Sequence, residues 1–208
     1  MTPPRPRLLV ACEYSGTVRD AFSALGWDAW SCDLLPTESP GQHIQGDVIP
    51  ILSQGWDMMI AHPPCTYLCR AGWHWVNKPD SSTPPLKGQP RREAAKFFTA
   101  LLEAPIPHIA VENPLPISHV NLPPRTQTIQ PWQFGHPETK ATCLWLKNLP
   151  PLTPTNIVPG RTQRIFRLPP SKDRWKERSK TYPGIASAMA QQWTSHFLSQ
   201  NPTSCLQS

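Results

Sequence analysis

Arg7-Leu8-Leu9-Val10-Ala11-Cys12-Glu13-Tyr14-Ser15-Gly16, running on into Thr17-Val18-Arg19-Asp20-Ala21-Phe22, decides the fold. Arg7 to Cys12 reads as a buried strand, because its unbroken apolar run from Leu8 would alternate if one face were solvated. Tyr14-Ser15-Gly16 supplies a turn, and Thr17 to Leu25 reads as a helix. The same β-turn-α grammar continues outward. Trp27 to Cys32 reads as a second strand ending at Asp33, Met58 to Ala61 as a third and Ile109 to Val111 as a fourth, with helix-like Arg91 to Leu102 between the last two. Cys143 to Leu146 offers a further strand. Ile185 to Leu198 reads as a closing helix, with Ile185, Met189, Trp193 and Phe197 at helical spacing. Strands alternating with helices predict an α/β, Rossmann-like, mostly parallel sheet with helices on both faces and ligands beyond the carboxyl ends of the strands.

A chain of 208 residues is enough for one α/β domain and hardly for two. A single domain is expected over residues 1–198, with a frayed polar tail at 199–208. The 28 prolines gather in connections such as Pro84-Pro85, Pro123-Pro124, Pro150-Pro151 and Pro169-Pro170, so they punctuate a globular domain. There is no apolar run of transmembrane length, and the N-terminus lacks the apolar stretch of a signal peptide. Six scattered cysteines argue for reduced thiols. A cytoplasmic monomer without membrane contact is expected.

The net charge of +6 becomes informative once located. Arg161, Arg164, Arg167, Lys172, Arg174, Lys176, Arg178 and Lys180 face only Asp173 and Glu177 between residues 161 and 180, so this one stretch carries the whole excess. A positive stripe confined to one segment suits a phosphate backbone, and a solvated surface loop is the plain alternative.

Two segments at strand ends carry the chemistry, Ala61-His62-Pro63-Pro64-Cys65 and Val111-Glu112-Asn113-Pro114. Taken singly, Cys65 could be a small buried hydrophobe and Glu112 a strand-end cap. Together, and in this order, they resemble motifs four and six of the DNA cytosine-5 methyltransferases, which carry a Pro-Cys nucleophile and a Glu-Asn-Val. Phe134-Gly135-His136-Pro137-Glu138-Thr139-Lys140 resembles motif eight, and Thr181 to Ala190 the last motif, a loop and helix that pack against the cofactor. The resemblance is to compact, phage-type members and covers roughly residues 8 to 198.

The resemblance implies methyl transfer from S-adenosylmethionine to C5 of cytosine in DNA, single- or double-stranded. Cytosine C5 is a poor nucleophile until a thiolate adds to C6 and an acid supports N3. In those roles it puts Cys65 and Glu112, with Asn113 positioning Glu112 and the Pro-Cys loop, and Lys140 standing in for an arginine that touches the target base. At the cofactor end it implies Cys12, Glu13, Tyr14, Ser15 and Gly16 at the first turn, Asp33 and Leu34 after the second strand, Asp47 in Gln45-Gly46-Asp47-Val48, and Pro63. The family's first turn is Phe-x-Gly-x-Gly, of which only Gly16 is matched. Where relatives carry a target recognition domain, this chain has only a short basic insertion at 147–180, which grips phosphates more readily than it reads bases. Arg70, Trp73, Trp75 and Lys78, in the stretch after Cys65, could touch phosphate or fill the gap left by a flipped base.

Three other readings share some of these letters. An amino-methyltransferase would need a polar acceptor where His62 stands and an aromatic where Cys65 stands. A zinc deaminase would need His-x-Glu before Pro-Cys-x-x-Cys, but His136-Pro137-Glu138 follows Pro64-Cys65 and Cys69 comes one residue late, so no metal is expected. A degenerate methyltransferase fold kept only as a DNA-binding protein remains open.

Overall fold

In a computed structural model, which describes residues 4–69, 89–118 and 120–201, the chain forms one seven-stranded sheet flanked by helices. The strands are β1 (Arg7–Ala11), β2 (Asp28–Asp33), β3 (His43–Gln45), β4 (Met58–Ala61), β5 (His108–Pro114), β6 (Gln127–Ile129) and β7 (Thr142–Lys147). The helices are α1 (Thr17–Ser23), α2 (Gln89–Leu102), α3 (Arg164–Arg167), α4 (Arg174–Ser179) and α5 (Pro183–Gln200). The strand order is β3-β2-β1-β4-β5-β7-β6, parallel except that β7 runs antiparallel to both β5 and β6.

Residue alternation along the strands splits the core in two. Leu8, Val10, Met58, Ile60, Ala110 and Leu144 point to one face, covered by Val18 and Phe22 of α1 and by Ile185, Met189 and Trp193 of α5. Leu9, Ala11, Met59, Ala61, Ile109 and Val111 point to the other, covered by Phe98 and Leu101 of α2. β4 is buried at all four positions, the reason its sequence is an unbroken apolar run. The α5 face is locked by Trp27, whose ring lies 5.0 Å from that of Phe197 and whose Nε1 donates to Thr194 Oγ1 at 2.8 Å.

The expected elements form, several with shifted boundaries. The fourth strand runs to Pro114 instead of Val111, because β7 pairs with it residue by residue through Glu112↔Leu144, Asn113↔Cys143 and Pro114↔Thr142. Ser199 and Gln200, expected in the frayed tail, complete the last turn of α5. The first helix ends at Ser23, two residues early, with Gly26 in the left-handed region at φ 88°. β3 and β6, three residues each, are too short to leave a periodic signal in sequence.

Strand order reverses between β1 and β4, since β1 to β3 proceed one way and β4 to β5 the other. That reversal opens a crevice at the carboxyl ends of β1 and β4, where loops cannot cross. Both motif segments and the first turn end there.

Candidate active site

A cleft at this crevice is lined by Cys12 to Ser15 after β1, His62 to Cys65 after β4, Glu112 and Pro114 of β5, Lys140, and residues 178–181. Its free space, open to solvent, is about 590 Å³. Cys65, Glu112 and Lys140 thus share one cavity with the turn expected at the cofactor end.

The β4–β5 register explains the heart of the cleft. Ile60 pairs with Ala110 on one face, so the next pair on that face is His62 and Glu112. His62 Nδ1 lies 3.2 Å from Glu112 Oε2, and both side chains are largely buried. His62 Nε2 is buried without a hydrogen-bond partner among the described residues. Asn113, one residue on, points to the opposite face. Fully buried, it leaves both amide atoms without a hydrogen-bond partner among the described residues, so no bond from its side chain to them fixes Glu112 or the Pro-Cys loop.

Cys65 opens a tight turn, its carbonyl accepting from the backbone N–H of Leu68 and Cys69 at 3.0 Å each. A hydrogen bond with the Cys69 side chain, then burial, then the negative charge of Glu112 push the Cys65 thiol well above the ordinary range, and Lys140 pulls weakly the other way. The free site therefore holds a thiol. Lys140 is itself held down by burial, against the opposing pull of Glu112 and Cys65. Its Nζ donates to the carbonyls of Arg178 at 2.8 Å and Lys180 at 3.2 Å, which ties it to the chain passing over the cleft.

The cofactor-end residues divide. Glu13 lines the cleft but is buried, and its carboxylate is spent on the start of α1, where Oε1 accepts from Val18 N at 2.7 Å and Oε2 from Arg19 N at 3.2 Å. It caps the helix, an anion on two of the N–H groups of its first turn. Gly16 sits at φ 76°, and a Cβ there would lie 2.5 Å from Arg19 Nη2. The space beside this glycine is filled by the Arg19 guanidinium. That side chain, fully buried, donates to Asp20, Ser31, Thr37 and the carbonyls of Ser39 and Pro40, and so pins the loop after β2 to α1.

Asp33, Leu34 and Asp47 do not line the cleft itself. Asp33 and Asp47 act on Cys12 of the cleft wall, whose thiol is pushed up by burial and then by the charges of Asp33, Cys32 and Asp47. Asp33 Oδ1 accepts from Leu35 N at 2.9 Å, and Asp47 Oδ1 from Ile49 N at 3.0 Å. Beside them Leu34 is 74% exposed and Ile49 is 41% exposed, unusual for residues so close to a core. Pro63 is buried at the cleft wall. Among the described residues no group of three or more His, Cys, Asp or Glu is placed to hold a metal ion, and no helix is long and apolar enough to cross a membrane.

The basic segment lies across the cleft as a strap. Tyr14 Oη donates to Lys176 O at 3.0 Å and pairs with Ser179 Oγ at 2.9 Å, and Lys180 Nζ reaches Glu38 at 3.0 Å. Upstream, Arg164 pairs with Glu138 at 2.9 Å, and Tyr182 donates to the same carboxylate at 2.7 Å. Burial alone would raise Glu138, but Tyr182 and Arg164 outweigh it and hold that carboxyl below its usual range. Gly184 fits against this knot because a Cβ there would stand 1.9 Å from Phe134 O. Arg161 is stacked on the Trp132 ring at 3.9 Å and donates to Val158 O, and Arg174 donates to Phe166 O at 3.1 Å. The side chains of Arg167 and Lys172 are exposed and make no hydrogen bond or ion pair among the described residues, while Lys176 Nζ lies 3.8 Å from Asp173 and 5.8 Å from the Trp175 ring centroid. Arg70, Trp73, Trp75 and Lys78 lie outside the described residues.

Sequence reasoning missed His62 as Glu112's partner, Arg19 as the anchor of the β2 loop, and the strap as a wall of the cleft. Period-2 counting from Ile60 and Ala110 could have found the first. Nothing local signals the other two, since a buried arginine and a basic loop look solvent-exposed in sequence.

No family model and no curated protein matches this chain. Among solved structures it is similar to a proposed DNA modification methyltransferase encoded within an E. coli prophage, with TM-score 0.48 and 14% identity, over 79% of this chain and 55% of that one. It is also similar to the Entamoeba histolytica methyltransferase EhMeth, with TM-score 0.43 and 11% identity, over 77% of this chain and 58% of that one. The chain spans a little over half the length of each.

Proposed function

We propose that the chain is an S-adenosylmethionine-dependent methyltransferase acting on C5 of cytosine in DNA. The observation that carries this reading is the convergence of Cys65, Glu112 and Lys140 in one cleft at the switch point of the sheet. A thiol, a carboxyl and an ammonium group there match the demands of nucleophilic attack at C6 and support at N3.

The cofactor end suits the group. Asp33 and Asp47 offer carboxylates for ribose hydroxyls, and the exposed side chains of Leu34 and Ile49 offer apolar surface for a flat base. When bound, S-adenosylmethionine supplies an electrophilic methyl group.

On the protein side, Cys65, held as a thiol in the free site, first gives up its proton to water in the solvent-open cleft. Its sulfur then forms a bond to C6, and the displaced electron pair makes C5 nucleophilic while Glu112 holds N3. After methylation the C5 proton passes to water in the open cleft, and the electrons of that C–H bond re-form the C5–C6 double bond and expel Cys65 as the thiolate. His62 orients Glu112 through Nδ1.

Incubating DNA with labelled S-adenosylmethionine should give 5-methylcytosine on nucleoside analysis. DNA containing 5-fluorocytosine should be trapped covalently, with the adduct on the Cys65 peptide. Glu112→Gln should lose at least about a hundredfold in rate, the scale of one general acid. Methyl groups found on an exocyclic amine, or an adduct on Cys69, would overturn the assignment.

A further inference from the structure

Two large aromatic side chains in the basic strap face solvent, Phe166 and Trp175, each 51% exposed. α4 buries none of its residues, and Trp175 keeps about half of its surface open to solvent. The indole stands 6.0 Å from the Tyr14 ring, tilted by 54°, and Tyr14 lines the cleft that also holds Cys65. Trp175 is therefore at the rim of the cleft. Phe166 belongs to the same patch, since Arg174 reaches back to donate to its carbonyl. Around them Arg167 and Lys172 have no ionic partner among the described residues, in a stretch that carries the chain's entire net charge.

Exposed rings alone would suit any apolar partner, but exposed rings spaced by uncompensated cations suit a polyanion that also presents flat apolar faces. Nucleic acid with unstacked bases is that chemistry: phosphates meet the cations, and bases lie on the rings. In a duplex those faces are hidden in the stack. We propose that the α3–α4 strap is a stacking platform for single-stranded DNA, with Trp175 holding a base at the rim of the cleft and Phe166 a second one. This rests on the reading that the cleft receives a nucleobase, and it adds a preference for unpaired strands.

The test uses the full chain and a dye-labelled oligothymidylate of about 12 nucleotides, alone or annealed to its complement, read by fluorescence anisotropy. Thymidine contains no target cytosine, so binding is measured apart from methyl transfer. Base stacking of about 1–3 kcal/mol predicts that Trp175→Ala weakens single-strand binding roughly tenfold, with Trp175→Phe retaining most of the affinity. The salt slope should stay unchanged in Trp175→Ala and flatten by about 1.4 in the Arg167→Ala/Lys172→Ala double variant, at roughly 0.7 per phosphate contact on a single strand. Because α4 is unburied, circular dichroism should report an unaltered fold in each variant. Equal affinity for Trp175→Ala and wild type, or tighter binding of wild type to the duplex, would overturn the proposal. So would loss of a dimer in sedimentation with unchanged oligonucleotide affinity, which would make the patch a self-association surface. If 5-methylcytosine forms but oligothymidylate does not bind, the platform falls and the methyltransferase reading stands. Binding that depends on Trp175 without any 5-methylcytosine would have the reverse meaning.

Discussion

Replacing Gly16 by alanine separates two explanations of this glycine, close approach of a cofactor and room for a buried arginine. At φ 76° an L-residue costs about 1–2 kcal/mol relative to glycine. The added Cβ would lie 2.5 Å from Arg19 Nη2 and 3.0 Å from Cζ, so the guanidinium must move. That same Nη2 donates to Ser39 O and Pro40 O at 3.1 Å each. Losing one charge-assisted bond of this kind costs about 1.5–3 kcal/mol, which brings Gly16→Ala to about 2.5–5 kcal/mol. With Arg19→Met as background the guanidinium clash is absent, leaving the backbone cost of about 1–2 kcal/mol and the 3.1 Å approach to Ser39 Cβ, which is common to both backgrounds and cancels in the cycle. A double-mutant cycle by urea unfolding, read by circular dichroism, should therefore give a coupling of about 1.5–3 kcal/mol between the two positions. Additivity within about 0.5 kcal/mol would refute the argument. If Gly16 instead serves cofactor approach, the variant loses S-adenosylmethionine affinity in calorimetry, and the loss is the same with or without Arg19.

Two further outcomes test the catalytic end. With the Cys65 thiol pushed up by its Cys69 hydrogen bond and by burial, the proton stays on through neutral pH, and thiolate appears only as pH rises past the ordinary thiol range of about 8.5. Alkylation of the Cys65 peptide by iodoacetamide, followed by mass spectrometry from about pH 7 to 10, should be far slower than that of free cysteine at pH 7 and climb toward pH 10; rapid labelling at neutral pH would contradict it. His62→Ala should lower kcat by about tenfold or more through loss of Glu112's orientation while leaving S-adenosylmethionine affinity unchanged, and His62→Asn, which can still donate to the carboxylate, should recover part of it. Unchanged kcat in His62→Ala would remove His62 from the mechanism.

The fold was legible because its main signals are local. Buried parallel strands must be continuously apolar, so Leu8–Ala11 and Met58–Ala61 announce themselves, and strand alternation with helices fixes the sheet type. β3 and β6 were not legible, since three-residue edge segments are defined by their hydrogen-bonded neighbours. The length of β5 was set in the same way, by a β7 partner some thirty residues downstream.

At the site, the sequence by itself singled out Cys65 and Glu112, because a proline-braced cysteine and a carboxylate at strand ends carry chemical meaning without a third dimension. Tertiary structure alone decided what surrounds them. The β4–β5 register put His62, and not Asn113, beside Glu112, since adjacent residues on a strand face opposite sides of the sheet. Chain crossing brought Arg178 and Lys180 carbonyls onto Lys140, across a separation of about forty residues. It also filled the space beside Gly16 with Arg19, so a glycine that resembles a ligand-binding turn borders a buried guanidinium. Residue type fixes which reactions a side chain can support, but burial and partners, which set its protonation and its freedom to react, are properties of residues distant in sequence.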